Sequence, residues 1–154
     1  MTLDEIIKKH KGSLKAIIFE FEEELNNKDF KTIYDNINNA YYIVPAFTAL
    51  LLKNNINPLK YMDEVPACFA YELNIKEFII PDGIKFIGDN AFAKCDILTS
   101  ITIPKSIIHI DDAVFWGCYN LKDIYYEGSE EDWSKIKMGW GNTISPATTI
   151  HYNS

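Results

Sequence analysis

Three histidines and three cysteines supply the side chains of this 154-residue chain that most often bind metal ions or act as nucleophiles. The histidines are His10, His109 and His151, and no two of them lie at the spacing of metal ligands. His109 precedes Asp111 and Asp112, so one imidazole nitrogen and two carboxylates could meet at a metal ion. The residue 23 positions before His109 is a phenylalanine, however, which favours a surface position on a strand. The sequence therefore predicts no bound metal.

The cysteines Cys68, Cys95 and Cys118 have no general base close to them in the sequence. Cys95 and Cys118 lie 23 residues apart, at equivalent positions of a repeat, which is typical of small buried packing groups. Equivalent positions of stacked units are also close enough for a disulfide bridge, which is the alternative interpretation. The sequence has no GxSxG or HExxH motif and no phosphate-binding glycine loop. We therefore predict a protein that is not an enzyme and that needs no cofactor.

A pattern of 23 residues occurs twice between Asp82 and Glu127, and a partial copy precedes it. A fixed period of this length is typical of stacked supersecondary units, none of which can bury its apolar face alone. The full copies pair Ile84 with Ile107, Ile87 with Ile110, Phe92 with Phe115, Cys95 with Cys118, Leu98 with Leu121 and Ile101 with Ile124. The partial copy places Phe69, Ile75, Phe78, Ile80 and Pro81 before Phe92, Leu98, Ile101, Ile103 and Pro104 at the same interval.

Each unit contains two stretches that suit short strands. The longer stretches end in alternating apolar and polar residues, and we expect them to pair as a small parallel sheet along one side of a solenoid. Neighbouring strands would then lie about 4.8 Å apart. The longer stretches are 75–80, 98–103 and 121–126, and the shorter ones are 84–87 and 107–110.

The N-terminal part of the chain lacks the repeat and carries helical patterns. Thr2 and Glu5 form a capping box, which predicts a first helix that Gly12 closes. Ser13 is expected to cap a second helix that runs to Asn26. The buried stripe of this second helix would comprise Leu14, Ile17, Ile18, Phe21 and Leu25.

Two further helices are predicted before the repeats. Asp29 is expected to cap a helix that ends at Asn38 and Asn39. Pro45 suits the first turn of a fourth helix, which reaches Lys53. Their apolar residues are Phe30, Ile33, Tyr34 and Ile37 in the first, and Phe47, Leu50 and Leu51 in the second.

Three segments follow from these patterns. A cluster of helix breakers at 54–58 ends a helical segment, 1–57, which we interpret as a cap over the first repeat. A separate functional domain is the alternative interpretation of the same residues. The repeats occupy 58–128, and residues 129–154 are predicted to form a C-terminal cap, because the period fails after residue 128.

The predicted C-terminal cap contains one short helix and one strand. Ser129 and Asp132 form a second capping pattern, and 148–152 alternates like a strand. Trp133 and Trp140 are expected to cover the exposed end of the stack.

The repeated positions follow the pattern L-x-x-I-x-I-P-x-x-V-x-x-I-G-x-x-A-F-x-x-C. Asp111 departs from it at the glycine position, and Val114 departs from it at the alanine position. The matching residues are Leu98, Ile101, Ile103, Pro104, Ile107 and Ile110 in one unit and Ile84, Ile87, Gly88, Ala91, Phe92 and Cys95 in the other.

This pattern resembles the leucine-rich repeats of the BspA type. With the helical segment, the resemblance implies an α+β protein, in which a short leucine-rich-repeat solenoid with a small parallel sheet follows an α-helical cap or domain. It also implies protein–protein binding without catalysis. Short members with few repeats are similar to proteins of prophages and other mobile elements.

The chain is acidic, with a formal net charge of −7, and its fifteen basic residues are all lysine. Nucleic-acid recognition relies on arginine's bidentate fork and on a clustered basic face, so no direct nucleic-acid binding is expected. An acidic surface favours a protein partner with a basic surface. Because no membrane span or signal peptide is visible, we predict a protein that does not bind membranes. It would lie in the bacterial cytoplasm, or in the host cell cytoplasm if phage-encoded.

The alternation in the predicted sheet defines a candidate partner surface. If the apolar positions point inward, their neighbours point outward in two rows. Ile79 and Tyr125 would then be anchors for a partner. Scattered surface residues, or a face covered by the N-terminal helices, are the alternatives. One row is Ile79, Thr102 and Tyr125, and the other is Glu77, Ser100 and Asp123.

Two other candidates lie outside these rows. Trp116 is expected to project from the opposite face of the solenoid. Glu20, Glu22, Glu23 and Glu24 crowd the second helix, where they form either a solvated face or an acidic docking patch.

We therefore predict a non-enzymatic protein–protein interaction module. The alternative is an inhibitor from a mobile element, such as an anti-CRISPR protein, that occupies a basic surface of a host nucleic-acid-processing complex. Acidity and the resemblance to phage arrays favour this alternative.

Overall fold

The computed structural model describes residues 2–37, 41–142 and 144–153. Within them, all helices but the last precede two parallel four-stranded sheets, and strands of the two sheets alternate along the chain. The helices are α1 (Leu3–Lys9), α2 (Lys11–Glu20), α3 (Glu22–Asn26), α4 (Phe30–Asn36), α5 (Ile43–Lys53), a 3-10 helix (Pro58–Tyr61) and α6 (Glu130–Ser134). The strands are β1 (Glu64–Val65), β2 (Glu77–Ile79), β3 (Phe86–Ile87), β4 (Ser100–Ile103), β5 (His109–Ile110), β6 (Asp123–Tyr126), β7 (Lys137–Met138) and β8 (Thr149–Tyr152).

Side-chain caps start α1 and α4 as the sequence predicted. Thr2 and Glu5 form the capping box of α1, and the Asp29 carboxylate accepts a hydrogen bond from the Thr32 amide at the start of α4. These bonds satisfy amides that lack a partner within the helix. The predicted end of the third helix, at Asn38 and Asn39, lies outside the described residues.

The predicted boundary between the first two helices is wrong. The amide of His10 closes α1, and α2 begins with the next residue. Gly12 and Ser13 therefore lie inside α2. Gly12 does not adopt the left-handed conformation that often ends helices, so it does not close α1. Phe21 separates α2 from α3, and Ile18 on the predicted buried stripe is exposed.

The helices pack over the first turn of the solenoid through Tyr34. Its ring lies 5.2 Å from that of Phe47 and 6.1 Å from that of Phe69. Its hydroxyl is hydrogen bonded to Thr48 Oγ1 at 2.7 Å in the core, and burial raises the pKa of Tyr34. The buried apolar residues of helices and strands belong to one cluster. Such continuity is what a cap over the solenoid end requires.

Two parallel sheets, rather than one, run along the solenoid. The sheet β2-β4-β6-β8 is the predicted one, and its register aligns Phe78, Ile101 and Ile124, which are buried. The shorter extended stretches pair as a second sheet in the order β1-β3-β5-β7. Val65, Ile87 and Ile110 of this second sheet are also buried, so the core lies between the two sheets.

The first turn of the solenoid, which contains β1, is shifted by one residue from the register that the 23-residue period predicts. In the second sheet, Glu64 pairs with Phe86, which makes this interval one residue shorter than the repeat period. The amides of Ala70 and Phe92 make equivalent bonds to the following turn, so Ala70, and not Phe69, is the counterpart of Phe92. The rings of Phe69 and Phe92 still meet, at 6.1 Å. The full period returns at β2, so the other predicted equivalences of the partial copy hold from that strand onward.

Within the predicted C-terminal cap, residues 129–142 and 144–153 add a fourth turn to the solenoid. β7 pairs with β5 and β8 pairs with β6, although the intervals from His109 to Lys137 and from Asp123 to Thr149 are both longer than the repeat period. The predicted capping box of Ser129 starts α6.

The two tryptophans of this segment behave differently. Trp133 packs edge-on against the ring of Tyr126, with the centroids 5.1 Å apart. Trp140 is 83% exposed, so it does not cover the end of the stack as predicted.

Gly88 follows β3 at a point where the backbones of two turns touch. A Cβ atom there would lie 2.6 Å from the Ala67 amide nitrogen and 2.9 Å from the Val65 carbonyl oxygen. At Gly12, inside α2, a Cβ would meet nothing within 4 Å. We expect Gly88→Ala to lower the free energy of unfolding by about 1–3 kcal/mol through overpacking. Gly12→Ala should raise it by about 0.5–1 kcal/mol through helix propensity.

Urea denaturation of the two glycine variants and the wild type measures these changes. A Gly88→Ala variant as stable as Gly12→Ala would contradict the close approach of the two turns.

Candidate interaction surface

Two rows of side chains point outward from the sheet β2-β4-β6-β8, because alternate residues of each strand point inward. The strand register aligns the residues of each predicted row, and each row gains one residue from β8. The outer row consists of Ile79, Thr102, Tyr125 and His151, which pair in register across the four strands. The acidic row consists of Glu77, Ser100, Asp123 and Thr149, which pair in the same way.

The outer row is accessible over its whole length. Ile79 is 67% exposed and Tyr125 is 45% exposed, while Thr102 between them is half-buried. Three strand spacings of about 4.8 Å give the row a length of about 14 Å. The N-terminal helices therefore leave this face uncovered.

His151 joins the outer row to the acidic row. Its ring stacks on that of Tyr125, with a centroid distance of 4.6 Å and an interplanar angle of 14°. Its Nε2 lies 2.8 Å from Asp123 Oδ1. These contacts fix the orientation of the Tyr125 ring.

His151 was missed as a surface residue in the sequence analysis. The predicted strand 148–152 contained the signal, since alternation from Thr149 places His151 on the same side. The interval from Tyr125 to His151 exceeds the period that the repeats had shown, and this difference concealed the equivalence.

Trp116 lies in the segment between β5 and β6, at a cleft that no residue of the outer row lines. The Lys94 ammonium sits between two aromatic rings, 5.4 Å from the centroid of Trp116 and 5.8 Å from that of Tyr71. The structure thus brings Trp116 together with other aromatic residues and not with the other predicted partner residues. Tyr119 and Trp140, which line the same cleft, were not predicted as surface anchors.

The predicted acidic patch spans the junction of α2 and α3. Glu20 ends α2, and Glu22, Glu23 and Glu24 form the first turn of α3. Negative side chains at a helix N-terminus are stabilised by the helix dipole. Glu22, Glu23 and Glu24 are therefore at favourable positions for the helix dipole of α3, and the role of the patch in docking stays a prediction.

His109 occupies the surface strand position expected from its counterpart Phe86. Its Nε2 lies 3.3 Å from a carboxylate oxygen of Asp111. Burial raises the pKa of Asp111, and the proximity of His109 opposes the rise. In the ranges that the structure describes, no group of three or more His, Cys, Asp or Glu side chains is placed to hold a metal ion.

The three cysteines are free thiols. Cys95 Sγ donates to the Ala70 carbonyl at 3.1 Å, and Cys118 Sγ donates to the Phe92 carbonyl at 3.0 Å, so each thiol bonds to the preceding turn. Burial raises the pKa of Cys68 and Cys118 to about 11, which keeps the nucleophilic thiolate scarce at neutral pH. The thiols serve packing, as predicted.

The repeats match a known family. A comparison with family models matches residues 65–137 to the BspA type leucine rich repeat region (6 copies). Residues 65–137 belong to the BspA-type leucine-rich repeats. The resemblance drawn from the sequence is confirmed, and the match runs past residue 128 into the fourth turn.

One solved structure is also similar to part of the chain. It is the crystal structure of a leucine rich cell surface protein from Faecalibacterium prausnitzii A2-165, with 34% sequence identity and a TM-score of 0.45. The similarity covers 54% of this chain and 21% of that one, so this chain spans about a fifth of that protein. A comparison with curated proteins found no match.

BspA-type repeats are a non-catalytic unit, and they support a protein-interaction module in general terms. Among the described residues, no helix has both the length and the apolar character needed to cross a membrane.

Proposed function

We propose that this protein is a non-enzymatic protein–protein interaction module whose partner binds across the outer row and the acidic row. The register of these two rows is the observation that carries the proposal. It aligns exposed apolar side chains with carboxylates on one regular face. The helical segment 1–57 serves as a cap that covers the first turn.

The outer row supplies the binding energy in this proposal. Ile79 and Tyr125 stand two strands apart and are the large apolar side chains of the row. Interfaces draw most of their affinity from a few such anchors, among which tyrosine is enriched. Because Asp123 holds His151 and the His151 ring already stacks on Tyr125, little ordering of the Tyr125 ring remains when the partner binds.

The acidic row supplies selectivity for a basic partner. Glu77 and Asp123 flank the anchors, and the chain has a net charge of −7. Complementary charge raises the rate of association and disfavours acidic competitors. A role as an inhibitor of a host nucleic-acid-processing complex stays a prediction. A basic surface on such a complex would complement the acidic row in the same way.

Capture of partners from the source cell, followed by mass spectrometry, tests the proposal. The wild type is compared with an Ile79→Ala/Tyr125→Ala variant, and binding of the captured partner is then titrated. We expect the double variant to lose at least about tenfold in affinity at nearly unchanged thermal stability, because both side chains are exposed. Binding should weaken as salt is added, if the carboxylates contribute.

An Ile108→Ala/Tyr42→Ala variant is the matched control, because it removes an exposed isoleucine and an exposed tyrosine elsewhere. Equal loss of binding in both double variants would refute the assignment of the surface. Recovery of a nuclease complex would select the inhibitor alternative.

A further inference from the structure

The strand β4 crosses both rows and presents small side chains where its neighbours present larger ones. Its outward residues are Ser100 and Thr102, and both are half-buried. On either side, β2 and β6 present larger side chains in register with them. The surface therefore has a shallow trough, the β4 trough, whose floor is Ser100 and Thr102 and whose ridges are carried by β2 and β6.

The ridges change in chemistry along the β4 trough. At one end the flanking residues carry carboxylates, and at the other end they are apolar. Two strand spacings of about 4.8 Å separate the flanking backbones, so the β4 trough is about 10 Å wide. Each end can therefore hold one side chain of a partner. Ser100 lies between Glu77 and Asp123, and Thr102 lies between Ile79 and Tyr125.

The Tyr125 ring forms one wall of the apolar end. Its stack on His151 is nearly parallel, and the centroid distance of 4.6 Å matches the spacing of neighbouring strands. The ring therefore stands with one face toward β8 and the other toward Thr102. Because His151 covers the first face, the face toward the β4 trough is the one left for a partner.

We propose that the β4 trough holds an extended segment of the partner protein. A lysine or arginine of that segment lies between Glu77 and Asp123. Two residues along the segment, an apolar side chain lies between Ile79 and Tyr125. This binding mode rests on the proposed function and specifies which part of the partner the two rows take.

The spacing along the β4 trough selects an extended segment. Ser100 and Thr102 are two residues apart on one strand, which is a distance of about 6.6 Å. In an extended segment that lies along β4, the side chains of one face recur at the same interval, so two of them reach the two ends together. An α-helix with its side chains is about 10–12 Å across, and it would rest on the ridges instead of entering between them.

Charge selects a basic side chain for the end at Ser100. Glu77 is exposed, and the side chain of Asp123 is 39% exposed although His151 contacts one of its oxygens. A cation placed between two carboxylates is attracted by both, and an acidic side chain at the same place would be repelled by both.

NMR titration of the full chain with a synthetic peptide tests this binding mode. The probe is Thr-Arg-Thr-Leu-Thr-Arg-Thr-Leu-Thr, which places arginine and leucine on one face of a strand in either direction. The control peptide, Thr-Thr-Arg-Leu-Thr-Thr-Arg-Leu-Thr, has the same composition but places them on opposite faces. We expect the probe to shift amide signals of β2, β4 and β6 with a dissociation constant on the order of 1 mM, and the control to bind at least about fivefold more weakly.

Two variants block the β4 trough at its two ends. Ser100→Lys places a positive charge between the carboxylates, and Thr102→Phe fills the apolar end; each should weaken binding of the probe at least about tenfold. Ser13→Lys, at an exposed serine of α2, is the control for the added charge, and Thr102→Val is the control for size. Both controls should bind the probe like the wild type.

Three results would overturn the binding mode. They are no shift of these strands up to about 5 mM probe, equal binding of the two peptides, and equal binding of the probe by the blocked and control variants. Circular dichroism of all variants confirms that they are folded.

The partner captured from the source cell separates the binding mode from the proposed function. If Ile79→Ala/Tyr125→Ala weakens its binding and the blocking variants do not, the partner lies on the ridges. The binding mode is then wrong, and the proposed function holds. If none of these variants weakens binding, both are wrong. Loss of binding in the double variant and in both blocking variants supports both.

Discussion

Replacing Phe92 by alanine is expected to lower the free energy of unfolding by about 3–5 kcal/mol. Phe92 is fully buried in the middle of the solenoid. Its ring centroid lies 5.4 Å from that of Phe78, 6.1 Å from that of Phe69 and 6.5 Å from that of Phe115, on which it stacks. Alanine would leave a cavity that three adjacent turns share, and the backbone hydrogen bonds between turns prevent it from collapsing.

Urea denaturation followed by circular dichroism measures this loss. Phe19→Ala is the matched control, because the Phe19 side chain is 86% exposed and its removal should change stability by less than about 0.5 kcal/mol. Domains of this kind are stable by about 5–15 kcal/mol in total, so the Phe92 variant should show a large shift in midpoint. Similar midpoints for the two variants would mean that the phenylalanine layers do not stabilise the solenoid.

Replacing Asn142 by alanine is expected to cost about 2–4 kcal/mol, although it removes one small amide. Asn142 is buried, and its Oδ1 accepts a hydrogen bond from the Phe115 amide at 3.3 Å. Its Nδ2 donates to the carbonyls of Asp111 and Gly139. One turn earlier, the equivalent amide of Phe92 bonds to a backbone carbonyl. The Asn142 side chain thus substitutes for a peptide group at the incomplete fourth turn.

Asn120→Ala is the control for this prediction. Asn120 is exposed and donates a single side-chain hydrogen bond, to the Asp96 carbonyl, so its loss should cost less than about 1 kcal/mol. Hydrogen exchange at the Phe115 amide should accelerate in the Asn142 variant and stay unchanged in the Asn120 variant. Equal exchange in both would contradict the substitution of side chain for backbone.

The parts of the structure that repeat were predictable from the sequence. The strands of three turns, the inward and outward alternation and the stacking of Phe92 on Phe115 all follow from a constant interval and a period of two. A constant interval is readable because each turn makes the same bonds to the next. The caps at Thr2, Asp29 and Ser129 were also readable, since a capping side chain bonds to amides only two or three residues away.

Other features depended on contacts between distant segments. The end of α1 at His10, the shortened interval of the first turn and the fourth turn itself are set by packing across the core. The segment between β6 and β7 contains α6 and is longer than the segment between β4 and β5, so the repeat interval no longer marks which residues face each other.

The sequence alone determined that this chain contains stacked repeats whose strands alternate inward and outward and whose cysteines recur at equivalent positions, because those properties are local or periodic. The tertiary structure alone decided that His151 stacks on Tyr125 and that Trp140 stays exposed beside an open cleft. Both outcomes arise where loops of unequal length bring a strand back to the stack, and the free energy that selects their positions comes from long-range packing.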